Sequence, residues 1–152
     1  MFGDRRGFTL TELVMVLVIA GVLAAVAIPY LSDRLTFSTR GFADEVRAAL
    51  QYAQKVAVAQ RRNVCAIVAI NSLSLTQATV AGAGEACTAP VLNISTGAGF
   101  VLNTPTPAVT FTTGIGTINF DALGRVAIAA TVTVTGGQAI QIKVEAVTGY
   151  VR

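Results

Sequence analysis

Residues 5–30 read RRGFTLTELVMVLVIAGVLAAVAIPY: two arginines, a glycine, then an apolar run broken near its start by one acid, Glu12. From position 13 to position 30 there are eighteen consecutive uncharged, mostly aliphatic residues. As a helix that run rises about 27 Å, close to the hydrocarbon thickness of a bilayer, so it is long enough to cross a membrane. A carboxylate at the head of such a run needs a reason, because a charge moved into hydrocarbon is expensive. A secretory signal peptide has a shorter apolar core ended by small residues, for which Ala24, Ala25 and Ala27 are a weak match. A plain anchor would hold Glu12 among the lipid headgroups, where the penalty falls.

A third account gives Glu12 work to do. The string G-FTLTE, with basic residues before the glycine and a long aliphatic run after it, resembles the processing site of type IV pilins and of the related pseudopilins of type II secretion. The resemblance implies that prepilin peptidase cuts after Gly7 and that the new first residue, Phe8, is N-methylated. Glu12 then stands where the family keeps its acid, and Pro29 where many members carry a proline that loosens the helix. The acid is implied to meet the methylated amine of a neighbouring subunit in a helical filament. A carboxylate paired with an ammonium is partly compensated in lipid, so the pairing selects axial register as a subunit is added. Four residues along a helix also bring Glu12 near the amine of its own chain.

The resemblance implies a division of the chain into a leader (1–7), a membrane-spanning and filament-core half-helix (8–31), an amphipathic half-helix (32–62) and a periplasmic β domain (63–152). The leader arginines, Arg5 and Arg6, suit retention on the cytoplasmic side. The expected location is the inner membrane, crossed once, and then a pilus or pseudopilus. The implied partners are prepilin peptidase, other pilins, the inner-membrane assembly machinery and the lipid bilayer.

Composition agrees with one modest soluble domain. Of 152 residues, 145 remain after the proposed cut, and the formal charge of +3 falls to +2 once Asp4, Arg5 and Arg6 are removed. That charge identifies no polyanionic partner. The chain has no histidine and no tryptophan, and its thiols are Cys65 and Cys87. Two thiols without other good ligands do not make a zinc site, and there is no CxxC redox motif. In an extracytoplasmic domain they suit a disulfide, with two free buried cysteines as the alternative.

Beyond the anchor, Leu35, Phe42, Val46, Ala49, Leu50, Ala53, Val56 and Ala57 recur at helical spacing and form one apolar face. Arg40, Asp44, Arg47, Gln51, Gln54 and Lys55 make the other. The pattern predicts helix from Phe8 to about Arg62, loosened at Pro29 and softened at Gly41. After Asn63 the residues become β-branched, with expected strands at 64–70, 74–80, 99–102, 109–112, 116–120, 126–129, 131–135 and 139–145 and a short last one through Tyr150 and Val151. Residues 81–90 read as loop, the first hairpin turns near Asn71 and Ser72, and Gly136 with Gly137 reads as a two-residue hairpin turn. The fold class is α+β: a type IV pilin-like long helix whose second half packs on an antiparallel β domain.

The segments TINFDALGRVAI, QIKVEA and the terminal TGYVR resemble the GspH/FimT branch of minor pilins and pseudopilins. That branch often has an FxxxG-R hairpin and a threonine-glycine ending. The implied function is a structural subunit that joins or primes a type IV pilus or a type II secretion pseudopilus. Some members of the FimT branch bind DNA for uptake, and the candidate contacts here are Arg125, Lys143 and Arg152. A DNA-binding face needs several cations together, and TGYVR lacks a dense arginine cluster. No nucleophile, base and orienting group come together in the sequence, so neither an enzyme nor a cofactor is implied. Asn93, Ile94 and Ser95 match a glycosylation triplet and equally suit an ordinary turn.

Overall fold

The computed structural model describes residues 9–32, 34–82 and 85–152, with the backbone alone for 26–32. Gly7, Phe8 and the expected leader lie outside the described residues. Two compact units result, one containing the first helix and one spanning Leu35–Arg152.

Helix α1 (Leu10–Ser32) has 23 residues. Thr9 starts it: its Oγ1 accepts the Glu12 amide at 3.3 Å and its carbonyl accepts the Leu13 amide at 3.1 Å, which satisfies donors that a helix start otherwise leaves open. Pro29 lies inside α1, and helical backbone continues to Ser32. The described side chains of this helix, residues 10–25, are exposed on every side. Among the described residues no helix is long and apolar enough to cross a membrane; the apolar run itself continues to residue 30.

Helix α2 (Arg34–Gln60) buries Thr39, Phe42, Ala43, Val46, Ala49, Leu50, Ala53, Val56 and Ala57, nearly the apolar face that the spacing predicts. It ends before the expected Arg62 because Arg61 turns to φ 51°. The Arg61 amide then reaches the Val58 carbonyl at 3.4 Å and the Arg62 amide the Ala57 carbonyl at 3.2 Å, a closing motif usually given to glycine.

The β domain is antiparallel and forms two sheets. β1 (Val64–Ala69) pairs with β2 (Ser72–Ala78) and with β6 (Gly116–Phe120), while β3 (Cys87–Pro90) and β4 (Val101–Asn103) both pair with β2. The second sheet runs β5-β7-β8, from Thr110–Thr113, Ala130–Thr135 and Ala139–Val144. Inward residues of both sheets, among them Val64, Leu73, Leu75, Phe111, Phe120, Val132 and Ile142, meet the helix stripe in one core. Phe42 of α2 packs on Phe111 with ring centroids 5.5 Å apart.

Several expected boundaries are corrected. Ser72 pairs with Ala69, so the first hairpin turns on Ile70 and Asn71 and β2 starts earlier than position 74. The expected loop at 81–90 contains β3, an edge strand where Pro90 costs no central ladder bond. The expected strand at 126–129 is a single bridge, Phe120↔Val126. Val126 is buried and its carbonyl accepts the Val147 amide, after which the chain bends and Ile128 is exposed. The last strand is likewise one bridge, Val144↔Val151.

Thr135 pairs with Ala139, so the β7–β8 loop has three residues, 136–138, and not the two-residue turn expected. Its glycines answer to the helix above them. A Cβ on Gly136 would strike Thr39 Oγ1, and one on Gly137 would lie 2.6 Å from the Thr36 amide nitrogen. The Gly137 amide instead donates to Thr39 Oγ1 at 3.1 Å.

Cys65 and Cys87 are bonded, with Cα atoms 6.0 Å apart, which ties β3 to β1 around the end of β2. Closing a loop of sequence separation 22 stabilises the fold by about 3 kcal/mol in the chain-entropy model. Replacing both cysteines by serine is expected to lower urea-unfolding stability by about that amount. Gly137→Ala is expected to cost about 2 kcal/mol, since backbone atoms of Thr36 cannot step aside; the same urea titration measures it.

Candidate functional site

The two regions singled out by sequence lie in different units. In the first, Glu12 sits in the opening turn of α1, exposed and one helical turn past Thr9. Thr9-Leu10-Thr11-Glu12 has the spacing of a capping box, in which a threonine and an acid three residues later close a helix start. The threonine half of that box is formed by the 3.3 Å bond to the Glu12 amide. The carboxylate itself has no hydrogen-bond partner among the described residues, so it is available to a cation. Gly7 and Phe8, which precede this turn, are outside the described residues.

In the second unit, the C-terminal motifs converge on one helix residue. After β6, Asp121 closes a tight loop: its Oδ1 accepts the amides of Leu123 at 2.9 Å and Arg125 at 2.8 Å, and its Oδ2 accepts Arg125 Nε at 2.9 Å. Burial raises the Asp121 pKa, but these bonds from Arg125 and Leu123 outweigh it and hold the carboxyl below its ordinary 3.8. The loop glycine, Gly124, turns to φ 75°, and a Cβ there would press on Val58 at 2.7 Å. Gln54 of α2 donates to the Gly124 carbonyl at 3.1 Å and to the Thr148 carbonyl at 2.9 Å. Gly149 packs against the Gly124 carbonyl so closely that a Cβ has no room. The two glycine motifs therefore lock together and onto the helix.

The chain end is held in the same way. Lys143 and Arg152 exchange both main-chain bonds, at 2.8 and 2.9 Å, and Gln51 reaches the Val151 carbonyl at 3.5 Å. Of the three candidate DNA contacts, Arg125 pairs with Asp121 and Arg152 with Glu145, each at 2.9 Å. Lys143 is exposed and makes no ion pair among the described residues. The fold places Lys143 beside Arg152, but it neutralises two of the three cations locally.

The β domain and helix are similar to the type IV minor pilin FimU of Pseudomonas aeruginosa strain PAO1 in two crystal forms. One likeness has a TM-score of 0.55 at 18% identity, covering 74% of this chain and 85% of that one. The other has a TM-score of 0.53 at 19% identity, covering 74% and 90%. Residues 3–28 match the prokaryotic N-terminal methylation motif.

The fold is type IV pilin-like. No curated protein matches the chain over its sequence. The methylation motif ends inside α1, while the fold likeness rests mainly on residues that motif does not reach. Two positioning residues, Thr9 and Gln54, are not among the sequence-predicted site residues. Thr9 was legible, as the threonine of a T-x-x-E box before an apolar run. Gln54 was not, because its helix position looks like an ordinary solvent-facing one until the loops arrive.

Gln54→Ala leaves two carbonyls short of a donor and is expected to destabilise by about 1–2 kcal/mol, measured by chemical unfolding. Asp121 has a depressed folded pKa, so its contribution is present above the unfolded value near 3.8 and is lost as pH falls through the folded value. Asp121→Asn should therefore flatten the acid limb of stability below pH about 4, read from melting temperature against pH.

Proposed function

We propose that the chain is a minor pilin or pseudopilin of the GspH/FimT branch, a structural subunit whose work is assembly. Prepilin peptidase cuts between Gly7 and Phe8, Phe8 is N-methylated, and the apolar run holds the protein in the inner membrane with Leu35–Arg152 in the periplasm. The subunit then joins or primes a type IV pilus or a type II secretion pseudopilus. What supports this reading most is the pairing of an N-terminal methylation motif at residues 3–28 with a pilin-like fold behind it.

The physical logic starts from α1. A helix that is apolar all round is stable only in lipid or among other apolar helices. Lipid serves while the subunit waits, and neighbouring helices serve once it is assembled. Pro29, which removes one backbone hydrogen bond, gives this helix a point at which to loosen during the transfer. Glu12 is the one charged group of the run. Pairing it with the methylated ammonium of a neighbour removes the cost of carrying a lone carboxylate and fixes the axial step.

Gly7→Glu is expected to leave an uncut precursor, seen as intact mass; a normally trimmed mutant would remove the peptidase assignment. Glu12→Ala and Glu12→Gln separate pairing from capping, because glutamine keeps the capping acceptor but cannot neutralise an ammonium. Both variants should be cleaved and membrane-inserted yet enter filaments at about a tenth of the wild-type level or less, a loss typical of a charge-assisted contact. Normal incorporation of Glu12→Gln, counted in purified filaments, would reduce Glu12 to a helix cap.

A further inference from the structure

The first turns of α2 are fixed on one side and bare on the other. Thr39 is buried and its Oγ1 accepts the Gly137 amide at 3.1 Å, while Gly137 lies so close to Thr36 that a Cβ would meet its backbone. Successive helix residues are rotated by about 100°, so seating Thr36 and Thr39 on the β7–β8 loop turns position 37 away from the domain. Phe37 is accordingly 81% exposed. Gly41, one turn on, has nothing within 4 Å of where a Cβ would stand. An aromatic ring left open on a seated helix forgoes the burial that such a side chain normally gains.

A cation stands beside it. Arg40 is exposed, and its Nη2 donates to Gln138 Oε1 at 3.2 Å, which draws the guanidinium toward the β7–β8 loop. Arg40 makes no ion pair among the described residues, and the next carboxylate along the helix, Asp44, is paired with Arg47 at 2.8 Å. Positions 34–43 and 136–138 contain Arg34 and Arg40 and no acid. Asp33, one position earlier, lies outside the described residues.

The chain itself indicates what lies near this end of the helix. Phe37 is seven residues past Tyr30, where the apolar run ends. At about 3.6 Å per residue at most, it stays within about 25 Å of that point by any path. Side chains of a helix lean toward its N-terminus, so Phe37 and Arg40 lean toward the end of α2 that joins the run. Aromatic rings and long arginine stems are side chains that settle at a lipid surface, with the ring at the acyl boundary and the charge among the headgroups.

We propose that this end of α2 is a membrane-surface site, in which Phe37 inserts between phospholipid headgroups and Arg40 donates to a lipid phosphate. The proposal rests on the reading of residues 13–30 as a membrane span. A domain held on the bilayer in this way waits in one orientation, and both contacts break when the subunit leaves the membrane for a filament.

The chain contains no tryptophan, so Phe37→Trp is a single fluorescent probe at a position that internal packing does not fill. The full-length variant is reconstituted in nanodiscs of phosphatidylcholine and phosphatidylglycerol, and quenching by phospholipids brominated high on the acyl chain is measured. Strong quenching is expected, with emission shifted to shorter wavelength. Adding Arg40→Gln should lower the ratio of docked to undocked probe about fivefold, the effect of removing one cation near an anionic surface. Leu17→Trp, made separately within the run, reports the span through bromines deep in the bilayer. Quenching of Leu17→Trp without quenching of Phe37→Trp would overturn the surface site and leave the span standing. If neither is quenched, the span fails and the site falls with it. A shift that grows with protein concentration and ignores brominated lipid would overturn the site in favour of a second copy covering Phe37. Quenching left unchanged by Arg40→Gln would overturn the phosphate contact.

Discussion

The β domain depends on how closely two sheets approach α2. The helix presents Ala43, Ala49, Ala53 and Ala57 among its buried residues, and small side chains let backbones come near. Larger residues then fill the flanks, with Phe42 against Phe111 and Leu50 fully buried. Interiors are packed at crystal-like density, so this approach fixes what the neighbouring loops are allowed to contain. Glycine at 136 and 137, under Thr36 and Thr39, and at 124, under Val58, follows from the closeness of the helix.

The same closeness explains the C-terminal motifs. A loop that ends β6 and a turn that follows β8 are distant in sequence, yet both offer a carbonyl to Gln54. Asp121 and Arg125 stiffen the first, and Gly149 lets the second lie on it. Residues that look like a recognition signature are, in this fold, a clasp that shuts the domain on its helix.

Helix α1 is constrained differently. Its apolar side chains at positions 10–25 are exposed among the described residues, and exposed aliphatic surface of this extent marks a place meant for other molecules. Thr9 gives it a defined beginning, and that beginning places Glu12 in the first turn, where an acid also suits the positive end of the helix dipole.

The sequence by itself determined the N-terminal methylation motif at residues 3–28, the acid at Glu12, the buried stripe of α2 and most strands, because these are local patterns of charge, spacing and β-branching. It also brought Cys65 and Cys87 together, through the expected compartment. Tertiary structure alone decided that Gly136 and Gly137 answer to a helix, that residues 126–129 bend away from β6, and that Gln54 binds two loops. Each of these turns on contacts between segments far apart in sequence, such as the 70 and 94 positions separating Gln54 from its two partners. A periodicity carries no information about which distant carbonyl will arrive, whereas close packing leaves it one place to go.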